Sequence, residues 1–157
     1  MGYKLINETL DAEHKQIFDS LFQIYNLCNI PVNNKREYIF FKKNVLYAIR
    51  YAYLMAKNHW TTEQRYFNDG KRMQPYNHKD TYEDIEAHVQ EHTKNLKNLK
   101  RFYDHISSLE YVSKHDSVSE IHYIKQFIIN AVRGIELHIN TMDDPHFSHW
   151  VKSTGYL

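Results

Sequence analysis

The chain is poor in the residues that break helices. Its 157 residues include only four glycines and three prolines. No stretch alternates apolar and polar residues convincingly over a strand's length, so an all-helical fold is expected. Cysteine is almost missing. Cys28 stands alone, which excludes an internal disulfide, suits a reducing compartment and points to a cytoplasmic protein; a small buried apolar role fits it best. Neither sign of charge prevails, with 20 Lys and Arg against 19 Asp and Glu. There is accordingly no electrostatic footprint for nucleic acid or an anionic membrane. No apolar run reaches the roughly 18 residues that a membrane span needs. The opening MGYKLINETL lacks a basic stretch followed by an apolar core, so no secretory signal is expected. Ile6 also stands where a myristoylation signal has Ser or Thr.

What the chain does have is helical periodicity and many histidines, eleven in all. By length it is one domain, 1–157, large enough to bury a core. The first helix is expected to open at Asp11, a plausible N-cap. His14, Ile17, Phe18, Leu21, Ile24 and Cys28 then recur at spacings of three and four, one amphipathic face. Asn34-Lys-Arg-Glu37 resembles a capping box and starts a second helix, expected to run to about Phe67 and stop at Asn68-Asp-Gly70. Its inward face reads Val45, Ile49, Ala52, Ala56, His59, Glu63. Asp80 with Glu83 can cap a third helix, whose face includes His88, His92, Leu96, Leu99 and Phe102 or Tyr103. Ser117-Val-Ser-Glu120 forms a capping box for the fourth, with Ile121, Ile124, Ile128, Ala131, Ile135 and His138 inward. Pro145 ends it before a short C-terminal tail. Four such helices with modest loops predict an antiparallel up-down-up-down four-helix bundle.

That topology makes a demand on the ligand candidates. His88-Val-Gln-Glu-His92 places two imidazoles on one helix face. Taken alone it also fits the H-x-x-E-H pattern of a zinc peptidase, with Glu91 as base. In an antiparallel bundle, further ligands must lie near the start of helix one, the end of two and the end of four. His14, His59 with Glu63, and His138 with Asp143 fall there, at one end of the bundle. Five imidazoles and two carboxylates exceed what one ion takes. Two ions bridged by the carboxylates use all seven, and imidazole with carboxylate suits iron. The Glu-x-x-His pattern of the diiron carboxylate bundles does not occur in the chain.

The succession H…HxxxE…HxxxH…HxxxxD resembles the hemerythrin family over essentially the whole chain. The likeness rests on Leu10-Asp-Ala-Glu-His14-Lys-Gln-Ile-Phe18, His59-Trp-Thr-Thr-Glu63, His88-Val-Gln-Glu-His92 and His138-Ile-Asn-Thr-Met-Asp143. It implies two iron ions joined by an oxo or hydroxo group, one held by His88, His92 and His138 and the other by His14 and His59. Glu63 and Asp143 would bridge, with Asp144 the rival to Asp143. The two-histidine iron would take O2 reversibly, for storage, delivery or sensing, while Ile17, Trp60 and Ile135 wall the pocket. A diiron enzyme acting on nitric oxide or peroxide, or an iron-repair protein, would use the same ligands. The chain departs from the family at Gly134, where a Trp is common, and at Gln64, where a second acid is common. The intervals His14–His59 and His92–His138 are also longer than in compact members, implying a taller bundle. His78, His105, His115, His122, His146 and His149 are expected in loops or on the surface.

Overall fold

The computed structural model describes residues 8–73 and 79–140, with side chains over 8–66 and 86–140. Four helices account for nearly all of this, with no strand among the described residues: α1 Glu8–Leu27, α2 Lys35–Met73, α3 Lys79–Ser108 and α4 Lys114–His138. The described residues are all-helical, as the composition predicts. None of these helices is long and apolar enough to cross a membrane. Asp143, Asp144, Pro145 and the tail, together with His78, His146 and His149, lie outside the described residues.

The inward faces follow the periodicity. His14, Ile17, Phe18, Leu21 and Ile24 of α1 are all buried, as are Cys28 just after it and the α2 face from Val45 to Glu63. On α3, Phe102 is buried at 3 % exposure while Tyr103 only packs against the core, which resolves the choice between them. α4 is the least covered: Ile124, Ile128 and His138 are buried, whereas Ile121, Ala131 and Ile135 are half-covered. Phe102 stacks on Phe127 across α3 and α4, ring centroids 3.7 Å apart. α1 packs chiefly on α2 and α4, and α2 on α3.

The helix ends differ from expectation in four places. α1 begins at Glu8, so Asp11 lies in its first turn and is not its cap. α2 runs through Gly70 to Met73, 39 residues or about 58 Å. One glycine inside a helix costs only about 1 kcal/mol relative to alanine, too little to end it. α3 starts at Lys79, one residue ahead of the expected Asp80 cap. α4 starts a turn early: Ser113, extended at φ −157°, is the N-cap, its Oγ accepting from Asp116 N. Ser117 instead lies inside the helix, its hydroxyl donating to Ser113 O. The cap of α2 does form as the sequence indicates. Glu37 N donates to Asn34 Oδ1, and Glu37 Oε2 accepts from Asn33 N, one residue earlier than in an ideal box.

Away from the histidines, polar contacts tie the helices together. Lys42 at the start of α2 donates to the Ser107 and Leu109 carbonyls at the end of α3, where carbonyls have no helical partner. Tyr38 donates to Glu120 at 2.8 Å, joining the starts of α2 and α4.

Candidate metal centre

Six of the seven expected ligands are brought into one buried cluster: His14, His59, Glu63, His88, His92 and His138. The helix repeat explains the local pairing. His59 with Glu63 and His88 with His92 are each one turn apart, so each pair shares a face. His14 comes from the second turn of α1 and His138 from the last residue of α4. His105, His115 and His122 are exposed, as the sequence indicates.

Glu63 lies at the middle of the cluster, and its two oxygens face different histidines. Oε1 is 2.7 Å from His59 Nε2 and 3.9 Å from His14 Nε2. Oε2 is 2.7 Å from His92 Nε2 and 3.4 Å from His88 Nε2. His138 Nε2 in turn lies 2.9 Å from His88 Nε2 and 3.2 Å from His92 Nε2. Ligand nitrogens at right angles about an ion, each about 2.1 Å from it, stand about 3.0 Å apart. Two overlapping sets result, His14-His59-Glu63 and Glu63-His88-His92-His138.

The outer nitrogens decide what the inner ones can do. His138 Nδ1 is 2.9 Å from Glu91 Oε1, and His59 Nδ1 is 3.1 Å from Glu13 Oε1. A carboxylate only accepts, so each ring carries a proton on Nδ1 and leaves Nε2 as the inward atom that can take a further proton or a metal ion. Three imidazole nitrogens converge near His138, and His59 Nε2 meets a carboxylate oxygen. One proton relieves one such contact, whereas a metal ion relieves all contacts within its set. Glu63 is fully buried with no directed hydrogen bond to either oxygen, a costly position for a charge unless cations compensate it. The donor set fits a metal.

The electrostatics agree. Burial pushes the Glu63 carboxyl up, but His59, His14 and His88 more than offset it and hold it well below the usual carboxylate range. Burial lowers the His92 imidazole below its ordinary 6.5; Glu63 pulls it back up, and His88 and His138 push it down.

Glu13 and Glu91 are the residues against the cluster that periodicity misses. With a helix opening at Asp11, the sequence places Glu13 in the first turn, where the helix dipole favours an acid. In the structure it also accepts from Thr62 Oγ1 at 2.9 Å and from Asn58 Nδ2 at 3.1 Å, so α2 holds it against His59. Glu91, the base of the zinc-peptidase reading, instead orients His138. Carboxylates in this position fix the tautomer and raise the basicity of a ligand histidine. The adjacency of Glu13 to His14 was the one available signal, and it does not say which helix the acid faces.

The three expected wall residues border a cavity of about 380 Å³ that also touches His14, His59 and His138. Ile17 is buried, Trp60 is 9 % exposed and Ile135 is half-covered. Trp60 stacks on His92, centroids 4.9 Å apart and planes 13° from parallel, so it also supports the three-histidine set. Gly134 lines the cavity too, and a Cβ added there meets nothing within 4 Å. No family model, curated protein or solved structure matches the chain.

Proposed function

We propose that the chain is a hemerythrin-like protein whose cluster holds two iron ions joined by an oxo or hydroxo group, and that it binds O2 reversibly for storage, delivery or sensing. The supporting observation is the division at Glu63, whose oxygens face His14 and His59 on one side and His88 and His92 on the other. That is the arrangement a bridging carboxylate needs. In this reading the helices alternate up and down, so the start of α1, the later part of α2, the start of α3 and the end of α4 meet. His88, His92 and His138 serve one iron, and His14 and His59 the other. Asp143, five residues beyond His138 and outside the described residues, would supply the second bridge. Two ferrous ions so held would supply the two electrons that reversible O2 binding draws on.

The protein's own groups keep that exchange reversible. Glu91 and Glu13 hold the His138 and His59 rings in register, with Nδ1 turned to the carboxylate and Nε2 to the cluster. Ile17 and Trp60 cover the histidines with apolar surface, limiting water and stray protons. A second reading, a diiron enzyme acting on nitric oxide or peroxide, draws support from the cavity reaching exposed Gly134, which widens access to the histidines.

Metal analysis with an optical spectrum under argon and then in air tests the proposal. Two irons per chain and a visible band that appears with O2 and fades under argon are expected. One zinc per chain with no affinity for ferrous iron overturns it. Two irons without the band, but with many turnovers of nitric oxide or peroxide per site, would move the reading to the enzyme.

A further inference from the structure

The cavity beside the histidines is larger than a diatomic molecule requires. At about 380 Å³ it exceeds twice the ~150 Å³ apolar cavity that suffices for benzene, and it lies in the range of organic-ligand pockets. Its walls are mainly hydrocarbon: Ile17, Leu21, Ala52, Ala56, Leu99 and Phe127. Besides the histidines and Trp60, its uncharged polar lining consists of three amides, Asn95 and Asn98 of α3 and Asn130 of α4. Asn98 and Asn130 are exposed and Asn95 is half-covered, so the mouth lies between α3 and α4. An amide both donates and accepts and carries no charge. Among the described residues no lysine or arginine lines the cavity, and Glu91 is its one carboxylate. An anionic head group is therefore disfavoured.

We propose that this cavity is a binding site for a small, uncharged, mainly aliphatic molecule with one hydrogen-bonding head group. The aliphatic body lies along Ile17, Leu21, Ala52 and Leu99, and the head group meets the amides at the mouth. An occupant stands between solvent and His14, His59 and His138. The site shares Ile17 and the borders at His14, His59 and His138 with the iron reading, but it is argued from its hydrocarbon and amide lining, so binding of an aliphatic probe and binding of iron are measured separately.

Octan-1-ol is the probe, titrated into the full-length, metal-free protein and followed by heteronuclear NMR, with octanoate as the charged comparison. Saturable binding at one site per chain is expected, with shifts concentrated on Leu99, Ala131 and Ile135. Octanoate should bind more weakly. Gly134→Leu projects a side chain into open space and should weaken octanol roughly tenfold, the effect of excluding about two methylenes. Unsaturable binding, octanoate binding as tightly as octanol, or full affinity in Gly134→Leu each overturns the proposal. Binding that appears in Trp150→Ala but not in the wild type would mean that the chain's own tail is the occupant, and would overturn it as well. Because no iron is present, none of these outcomes depends on the diiron assignment, and iron analysis of the protein as purified, before the metal is removed, tests that assignment on its own.

Discussion

A carboxylate with no solvent exposure, such as Glu63, is retained at a cost of several kcal/mol in lost hydration. Hydrocarbon packing offers no return for that cost, and cations do. Glu63→Ala should therefore lower iron content more than His105→Ala, since His105 is exposed and away from the cluster. Full iron and an unchanged spectrum in both variants would refute the ligand assignment. The shifted groups also set a pH dependence for the metal-free protein. Well above pH 6.5 His92 is neutral in folded and unfolded chains alike. Below it the unfolded chain takes up a proton first, because burial holds the folded pKa under the ordinary 6.5, and stability falls. Glu63, also depressed, contributes stability above the ordinary 4.5 that is lost as pH drops further. Urea midpoints of the metal-free protein should decline steadily from pH 6.5 towards 4. A flat profile would show that neither group differs between the two states.

Among the elements, α4 shows how local signals compete. Ser113 and Ser117 can each begin a helix, and the sequence offers the better capping box at Ser117. Burial decides for the earlier start: Ser117 is 1 % exposed, and its hydroxyl is satisfied only by the turn that Ser113 opens. Ser113→Ala should cost about 1 kcal/mol, the usual loss of an N-cap, whereas exposed Ser119→Ala should stay within about 0.5 kcal/mol. Chemical denaturation of the two variants separates them, and equal losses would return the cap to Ser117. α2 makes the complementary point. Asn68-Asp-Gly70 has the composition of a stop, yet the helix passes through it to Met73.

At the scale of the whole molecule, the tight pairings leave the α3–α4 side more open, and the cavity lies there. Loss of bulk at Gly134 weakens the wall on that side. The iron-loaded wild type should oxidise in air faster than Gly134→Leu, whose side chain extends into space where an added Cβ meets no atom within 4 Å. The rate of spectral change in air is the measurement that counts. Melting temperature is not a substitute, since replacing a helical glycine gains about 1 kcal/mol by itself. Identical oxidation rates would show that Gly134 does not control access. Cys28 completes the picture. Burial raises its thiol to about 11, against an opposing effect of Lys125, so it should resist alkylation at pH 8 until the chain unfolds, as mass spectrometry of iodoacetamide-treated samples would show.

The sequence by itself determined the helices, their inward faces and the candidate ligands, because a period of 3.6 residues is a local property. His14, Ile17 and Leu21 could be read as one face without knowing what they face. It also ordered the ligands along the chain, so that a four-helix arrangement would gather them. Only the tertiary structure decided which oxygen of Glu63 meets which histidine, since that depends on contacts between helices. The same holds for Glu13, 46 residues from the imidazole it orients, and for Glu91, 47 residues from His138. The cavity, too, belongs to no single element. It exists because α3 and α4 leave between them space that neither Leu99 nor Phe127 fills, and no spacing within one helix records the distance to another.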